Sequence, residues 1–447
     1  MAIPFFPVNI KFTVRRSQPE LVAPAKPTPR EVKQLSDIDD NDAQRFQLPL
    51  VHFYPHKPSM TGKDPAQVIK RALAQTLVFY YPFAGRLREG LGRKLMVDCN
   101  AEGVIFIEAD ADVSLHQFGE PLQPPFPFFE ELLYSVPGSE GIINCPLLLI
   151  QVTRLKCGGF IFAARINHTM SDGFGIVQFL KALAEIAQSA CEPSIPPVWC
   201  RELLNARDPP RISFTHNDEY DEVPDDETRS HVMVHHSFFF GPNELMAIHK
   251  MFPHHHHGPQ NSTFEVLTAF IWRCRTIALQ LEPDREVRLM CSNNVRGKSN
   301  SPLVPPGYYG NAFVFPAVVT TAGKLSRNSL GYALELVKKS KAMATVEYIR
   351  SVADLMVIRG RPNLVSTRSW VVSDVRRAGF RDIDFGWGKA RYAGPAMAGS
   401  GDFLGTSFFI PQENAEGEEG IVVPICLPLK SMMLFIKQLE NMLISKL

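Results

Sequence analysis

His168 and Asp172 stand four residues apart in the run His168-Thr169-Met170-Ser171-Asp172-Gly173. Neutral imidazole, with an ordinary pKa of about 6.5, is well matched to taking a proton at neutral pH. The run therefore offers a general base, and the carboxylate beside it invites a triad in which Asp172 orients the ring. A plainer reading fits the same residues: a hydrogen-bonded core histidine followed by an aspartate that caps a helix. With 13 histidines in the chain, about half a chance match to this spacing is expected. The hexapeptide alone leaves both readings open.

A second block, Asp384-Phe385-Gly386-Trp387-Gly388, sets two glycines around one of only four tryptophans. Taken alone it is also consistent with an aromatic turn. Other chemistries lack their patterns. No Gly-x-Ser-x-Gly elbow occurs and no Cys/His pairing has support, so direct attack in a ternary complex is favoured over an acyl-enzyme. Four adjacent histidines, His254 to His257, cannot all face one ion and lack the zinc-helix spacing, so no metal site is expected. Gly90-Leu91-Gly92 lacks the third glycine of a dinucleotide fingerprint, and no phosphate loop is present.

Strand and helix patterns alternate around these residues. Residues 103–107 and 159–166 are rich in β-branched and aromatic side chains and read as strands on one sheet or on neighbouring sheets. After the second of them the loop 167–173 breaks the pattern, and Ile176, Val177, Leu180, Leu183, Ala184 and Ala187 recur at helical spacing. His168 and Asp172 thus lie where a strand end meets a helix start, a common place for a site. Asp64-Pro65 opens another helix, through Val68, Ile69, Ala72, Leu73 and Leu77. Residues 217–227 hold seven acids and no base, which predicts a solvated crossing between two units. The expected division is 1–206, a crossover loop at 207–230, and 231–447. In the second unit, residues 263–275 read as a helix, the stretches FLGTSFFIP and GIVVPICLP as a long hairpin, and the end from about Ser431 as a helix.

Composition narrows the partners. The 447 residues are 45% hydrophobic and 21% charged with a net charge of +1, which excludes fibrous and disordered classes. No global field favours nucleic acid or an anionic membrane. No apolar run exceeds five residues, against the ~20 of a membrane-spanning helix. The first eight residues carry no signal-peptide pattern, and the expectation is a cytosolic protein. The eight cysteines show no C-x-x-C and are expected to be small buried apolar residues.

Together, in this order, the two blocks are far more specific than either alone. The chain resembles the plant BAHD acyl-CoA-dependent acyltransferases, whose signatures HxxxDG and DFGWG are both present. The likeness extends along essentially the whole chain, through Tyr81-Pro82-Phe83-Ala84-Gly85-Arg86-Leu87, Ser262-Thr263-Phe264-Glu265, Asn294-Val295-Arg296-Gly297-Lys298 and Tyr308-Tyr309-Gly310-Asn311. Within the family it is most similar to the alcohol acyltransferases that make volatile and benzoyl-type esters.

Several expectations follow from the resemblance. It implies an α/β fold of two similar-sized mixed-sheet domains with chloramphenicol-acetyltransferase-like topology and a channel along their interface. The reaction implied is acyl transfer from acyl-CoA to an alcohol hydroxyl, with His168 as general base. Competing readings are an amine, phenolic or terpenoid acceptor, or a silent binding homologue. Asp172 is expected to pair with Arg296 and hold the loop with Gly173. The Trp387 indole N–H is expected to meet the oxyanion, while Asp384 shapes its turn with Gly386 and Gly388. Coenzyme A is assigned to Ser262, Thr263, Ser373 and Arg377, although Asp374 stands where relatives often carry a tryptophan. Acyl-CoA is a co-substrate, no further cofactor or metal is implied, and the chain is expected to act as a monomer. Some of the 31 phenylalanines are expected to line an apolar acceptor channel.

Overall fold

The computed structural model describes residues 10–220, 232–252, 261–297, 302–399 and 403–444. The run His254 to His257 and residues 221–231, the later part of the crossover, lie outside these ranges. Two main sheets organise the rest. The first, seven-stranded, places Val104–Ala111, Leu148–Leu155, Phe160–Asn167 and Gln47–Tyr54 side by side. The two strands expected from sequence therefore share one sheet, separated by the strand Leu148–Leu155, which is parallel to one and antiparallel to the other. Near-continuous burial along Phe160–Asn167 explains its run of apolar residues, since both faces are covered.

Helices Pro65–Phe79 and Gly173–Ala187 pack together in this half. Asp64 starts the former by accepting from Ala66 N at 3.1 Å, and it is gripped by Arg154 at 2.7 and 2.6 Å. Ile69, Leu73 and Leu77 then turn one apolar face into the core.

The second, six-stranded sheet includes the expected hairpin, Thr406–Glu413 against Glu419–Pro428, and continues through Ser369–Asp374 to Glu286–Cys291. Phe270 and Trp272 of the helix Thr263–Leu279 and Phe435 of the closing helix Leu429–Ile444 bury with it in a separate core.

One strip of chain crosses between the two cores. The strand Tyr392–Pro395 pairs with Gln47–Tyr54, setting Tyr392 opposite Phe53. Val375, Phe380, Ile383, Phe385, Trp387 and Tyr392 are part of the first core, not the second. An apolar strip from the second half of the chain thus completes the first sheet.

Two further expectations change. Part of the crossover is not solvated, because Arg207 pairs with Asp354 at 2.6 Å and Glu219, 1% exposed, accepts from Tyr348 Oη and Ala317 N. Only half of the cysteines are buried, and Cys157 and Cys191 are exposed. Among the described residues no helix is long and apolar enough to cross a membrane.

Candidate active site

The strand Phe160–Asn167 delivers the first motif to the end of its sheet. Asn167 stops it by accepting from Thr169 N at 3.2 Å and Thr169 Oγ1 at 2.8 Å, which starts a single turn at His168–Met170. Asp172 then caps the helix Gly173–Ala187, its Oδ1 accepting from Phe174 N at 3.1 Å and Gly175 N at 2.9 Å. Its Oδ2 takes Arg296 Nη1 at 2.6 Å and Ala312 N at 2.9 Å. Both oxygens are thus engaged away from the imidazole. The capping reading of Asp172 and the Arg296 pairing describe one residue doing both, and no His-Asp hydrogen bond forms.

Gly173 has open space where a Cβ would sit, whereas a Cβ on Gly175 would lie 2.1 Å from Tyr309 O. The glycine that the packing requires is therefore Gly175, which sequence reasoning passed over.

His168 is held from both sides. Its N–H donates to Phe46 O at 2.9 Å and its carbonyl accepts from Asn311 Nδ2 at 2.9 Å. The ring lies 5.0 Å from Phe46 and 6.0 Å from Phe313, and its Nδ1 is enclosed. Burial pushes the imidazole pKa below its ordinary value, and the Asp172 carboxylate, the residue's own backbone, the Asn311 side chain and the Asp39 carboxylate offset only part of that. A neutral ring at pH 7 is the consequence.

Behind the turn lies a charged cluster that pattern reading did not assign to the site. Asp39, fully buried, accepts from Arg201 Nη1 at 2.7 Å and from Asn311 Nδ2 at 2.9 Å, and Arg201 Nη2 reaches Met170 O at 2.8 Å. Asp37 and Asp40 beside it are buried too, held by Lys94 and Arg361. An acidic run of this kind reads as solvated in sequence because its counter-ions are distant along the chain. The retrievable signal was the apolar Leu35 and Ile38 interleaved with the acids.

His168 borders a cavity of about 440 Å³ lined by residues of both sheets. Phe46 and Leu48 contribute from one side, and Asn294, Phe313, Ser373 and Phe408 from the other. Of the four positions assigned to coenzyme A, Ser373 lines this cavity and the other three do not. Ser262 is an exposed N-cap whose hydroxyl accepts from Glu265 N while Glu265 Oε2 accepts from Ser262 N at 2.9 Å. Thr263 follows it at the first position of that helix, and Arg377 is exposed. Asp374 is paired with Arg376 at 2.8 and 2.7 Å.

The second motif is elsewhere. Asp384 Oδ1 accepts from Gly386 N and Gly388 N, both at 2.7 Å, and both glycines hold positive φ, 108° and 89°. That left-handed backbone is why glycines stand there. Trp387 packs edge-on against Phe160 with centroids 5.3 Å apart and is not among the cavity residues. Phe160 and His168 sit at opposite ends of one strand, roughly 25 Å apart at about 3.3 Å per residue. Gln188, at the far end of the helix that Asp172 starts, donates to Asp384 O at 2.6 Å, and 15 helical residues span about 22 Å. Trp387 thus packs at the end of the strand remote from His168. Among the described residues no group of side chains suited to a metal ion occurs.

The chain matches the Transferase family over residues 11–442. It is 62% identical over 441 residues to benzyl alcohol O-benzoyltransferase of Nicotiana tabacum, covering 97% of this chain and 95% of that one. It is 56% identical over 442 residues to alcohol acyltransferase 16 of Actinidia chinensis var. chinensis, covering 98% and 95%. The solved structure of vinorine synthase superposes with a TM-score of 0.72 at 21% identity, covering 96% of this chain and 98% of that chain.

Proposed function

This chain belongs to the Transferase family, the BAHD acyl-CoA-dependent acyltransferases, and we propose how it performs alcohol O-acylation: His168 takes the hydroxyl proton as the alcohol attacks the thioester. The observation that carries this reading is a half-buried imidazole, its pKa lowered by desolvation, on the wall of a cavity lined by residues of both sheets. Because Nδ1 is enclosed, Nε2 is the nitrogen through which the proton passes. The alcohol oxygen bonds to the carbonyl carbon, the π electrons move to the carbonyl oxygen, and His168 holds the proton. Collapse of the tetrahedral adduct re-forms C=O, breaks C–S, and returns the proton to sulfur, releasing ester and free coenzyme A. No electron acceptor or donor is needed. Asp172 acts on this step only by keeping the turn in shape through Arg296 and the helix cap.

The fold encloses chemistry suited to an aromatic partner. Phe46 and Phe313 flank the imidazole and Phe315 lies 4.9 Å from Phe313, so a benzyl-type alcohol or a benzoyl group finds edge and face contacts beside the base. The name of the tobacco relative, benzyl alcohol O-benzoyltransferase, supports the same substrate class. For coenzyme A, Ser373 is proposed to meet the pantetheine arm from the cavity wall, with Ser262, Thr263 and Arg377 outside the cavity as contacts to its phosphates.

The test is thiol release matched to ester formation with acetyl-, butyryl- and benzoyl-CoA against butanol, hexanol, benzyl alcohol, a phenol and an amine. Ester from benzyl alcohol, lost in a folded His168→Ala, is the expected result. Full turnover by His168→Ala overturns the base assignment, and amide formation without ester overturns the acceptor class.

A further inference from the structure

With Trp387 at the opposite end of the strand from His168, the negative charge that develops on the acyl oxygen still needs a hydrogen-bond donor. The short strand Asn293–Asn294 leads into a turn at Arg296, whose backbone N–H folds back onto the Asn294 side chain. Ser292 and Asn294 line the cavity, and Arg296 binds Asp172 just beyond it. The pair Asn293–Asn294 is bridged antiparallel to Phe313–Val314, with Asn294 opposite Phe313. Opposed residues keep their Cβ atoms about 5 Å apart, and Phe313 is 6.0 Å from the His168 ring.

The amide orientation of Asn294 is settled by its neighbours. Oδ1 accepts from Arg296 N at 2.9 Å and Arg296 Nη1 at 3.4 Å, which fixes the oxygen and leaves Nδ2 as the outward group. Asn294 Nδ2 donates to none of the described residues. It is a donor held in place by the same arginine that locks the His168 turn.

We propose that Asn294 Nδ2 receives the oxyanion of the tetrahedral adduct. This rests on His168 as base and on the acyl transfer described above. A chain of His168 Nε2, alcohol oxygen, carbonyl carbon, oxyanion and donor spans roughly 8–10 Å, which the distances through Phe313 allow. Among the other donors on the cavity wall, Ser292 and Ser373 are rotatable hydroxyls, and Ser373 stands next to the Asp374 carboxylate. A donor oriented in advance and paired with a cation is the better match for a developing anion.

Asn294→Asp separates the donor from the turn, since a carboxylate still accepts from Arg296 N but cannot donate. Asn294→Ala removes the donor without adding charge. Both are assayed for kcat and for the KM of benzoyl-CoA and benzyl alcohol, with thermal unfolding and His168→Ala alongside. The expected result is a fall in kcat on the order of 10²–10³-fold in both variants, with either KM changed by less than about threefold. A kcat within about threefold of wild type in either variant overturns the proposal, because an essential donor cannot be dispensable in one and needed in the other. If one variant fails to fold, the other decides. Loss of turnover in His168→Ala with full turnover in Asn294→Ala removes the donor and leaves the base; full turnover in His168→Ala removes the base itself.

Discussion

Asp172 Oδ2 lies 2.6 Å from Arg296 Nη1, although the nearest catalytic group in sequence is His168. Both partners are largely enclosed, with side chains 6% and 19% exposed, and Oδ1 caps the helix behind the turn. The carboxylate organises the chain that carries the imidazole without bonding to the ring.

Asp172→Ala is expected to cost about 2–4 kcal/mol, because it strands a half-buried guanidinium and removes a cap. Activity should fall together with stability. Asp172→Asn keeps the cap and recovers part of both. Denaturant unfolding beside kcat measures this; a kcat collapse at unchanged stability in Asp172→Ala would instead place the carboxylate in the chemistry.

The pH profile of kcat/KM follows from the burial of His168. Only the neutral ring accepts a proton, so the rate rises with pH through the imidazole pKa and is flat above it. Burial lowers that pKa from its ordinary value of 6.5. The midpoint of the rising limb therefore lies below pH 6.5. A midpoint above 7 contradicts the burial seen here.

Acid stability is set by other histidines. His52, fully buried, is pushed down to about 3, and His216 to about 4. The unfolded chain takes up these protons first, below its ordinary value of about 6.5. Stability is full above pH 6.5 and falls on acidification toward pH 4, by up to about 1.4 kcal/mol per pH unit for each group. Urea unfolding at pH 7.5 and at pH 5 tests this, and equal midpoints would refute it.

Trp387 should matter to stability more than to rate. Trp387→Phe keeps an aromatic ring on Phe160 and is expected to hold kcat within about threefold, while Trp387→Ala costs about 3–5 kcal/mol. Thermal unfolding and turnover at saturating substrates distinguish the two. A selective kcat loss in a stable Trp387→Phe would return the indole to the reaction.

Phe313 flanks the base at the cavity wall. Phe313→Leu is expected to raise KM for benzyl alcohol by about 3- to 10-fold, the worth of an aromatic contact of ~0.5–1.5 kcal/mol. KM for butanol should change less. Parallel changes for both alcohols would mean that the ring packs the wall without contacting the substrate.

Much of the local structure was legible because neighbours along the chain determine it. The break between strand and helix at 167–173, the Asp64 cap and the helix Pro65–Phe79 follow from capping chemistry and hydrophobic period. The long hairpin in the second half follows from two β-rich stretches around an acidic turn. Harder to see was the burial of Asp37, Asp39 and Asp40, since Lys94, Arg201 and Arg361 reach them from up to 324 residues away.

By itself, then, the sequence determined which side chains are available: an imidazole at a strand-to-helix junction, an aspartate able to cap, and glycines at 386 and 388 where φ is positive. It also carried the likeness to a family. Only the tertiary structure decided which of these meet. It turned Asp172 toward Arg296, drew Asn294 and Phe313 to one face beside His168, and carried Trp387 to the opposite end of the strand that bears the base. Local preferences act over a few residues, whereas a site is assembled by sheet pairing and core burial between segments far apart in the chain, and no spacing along the sequence encodes that distance.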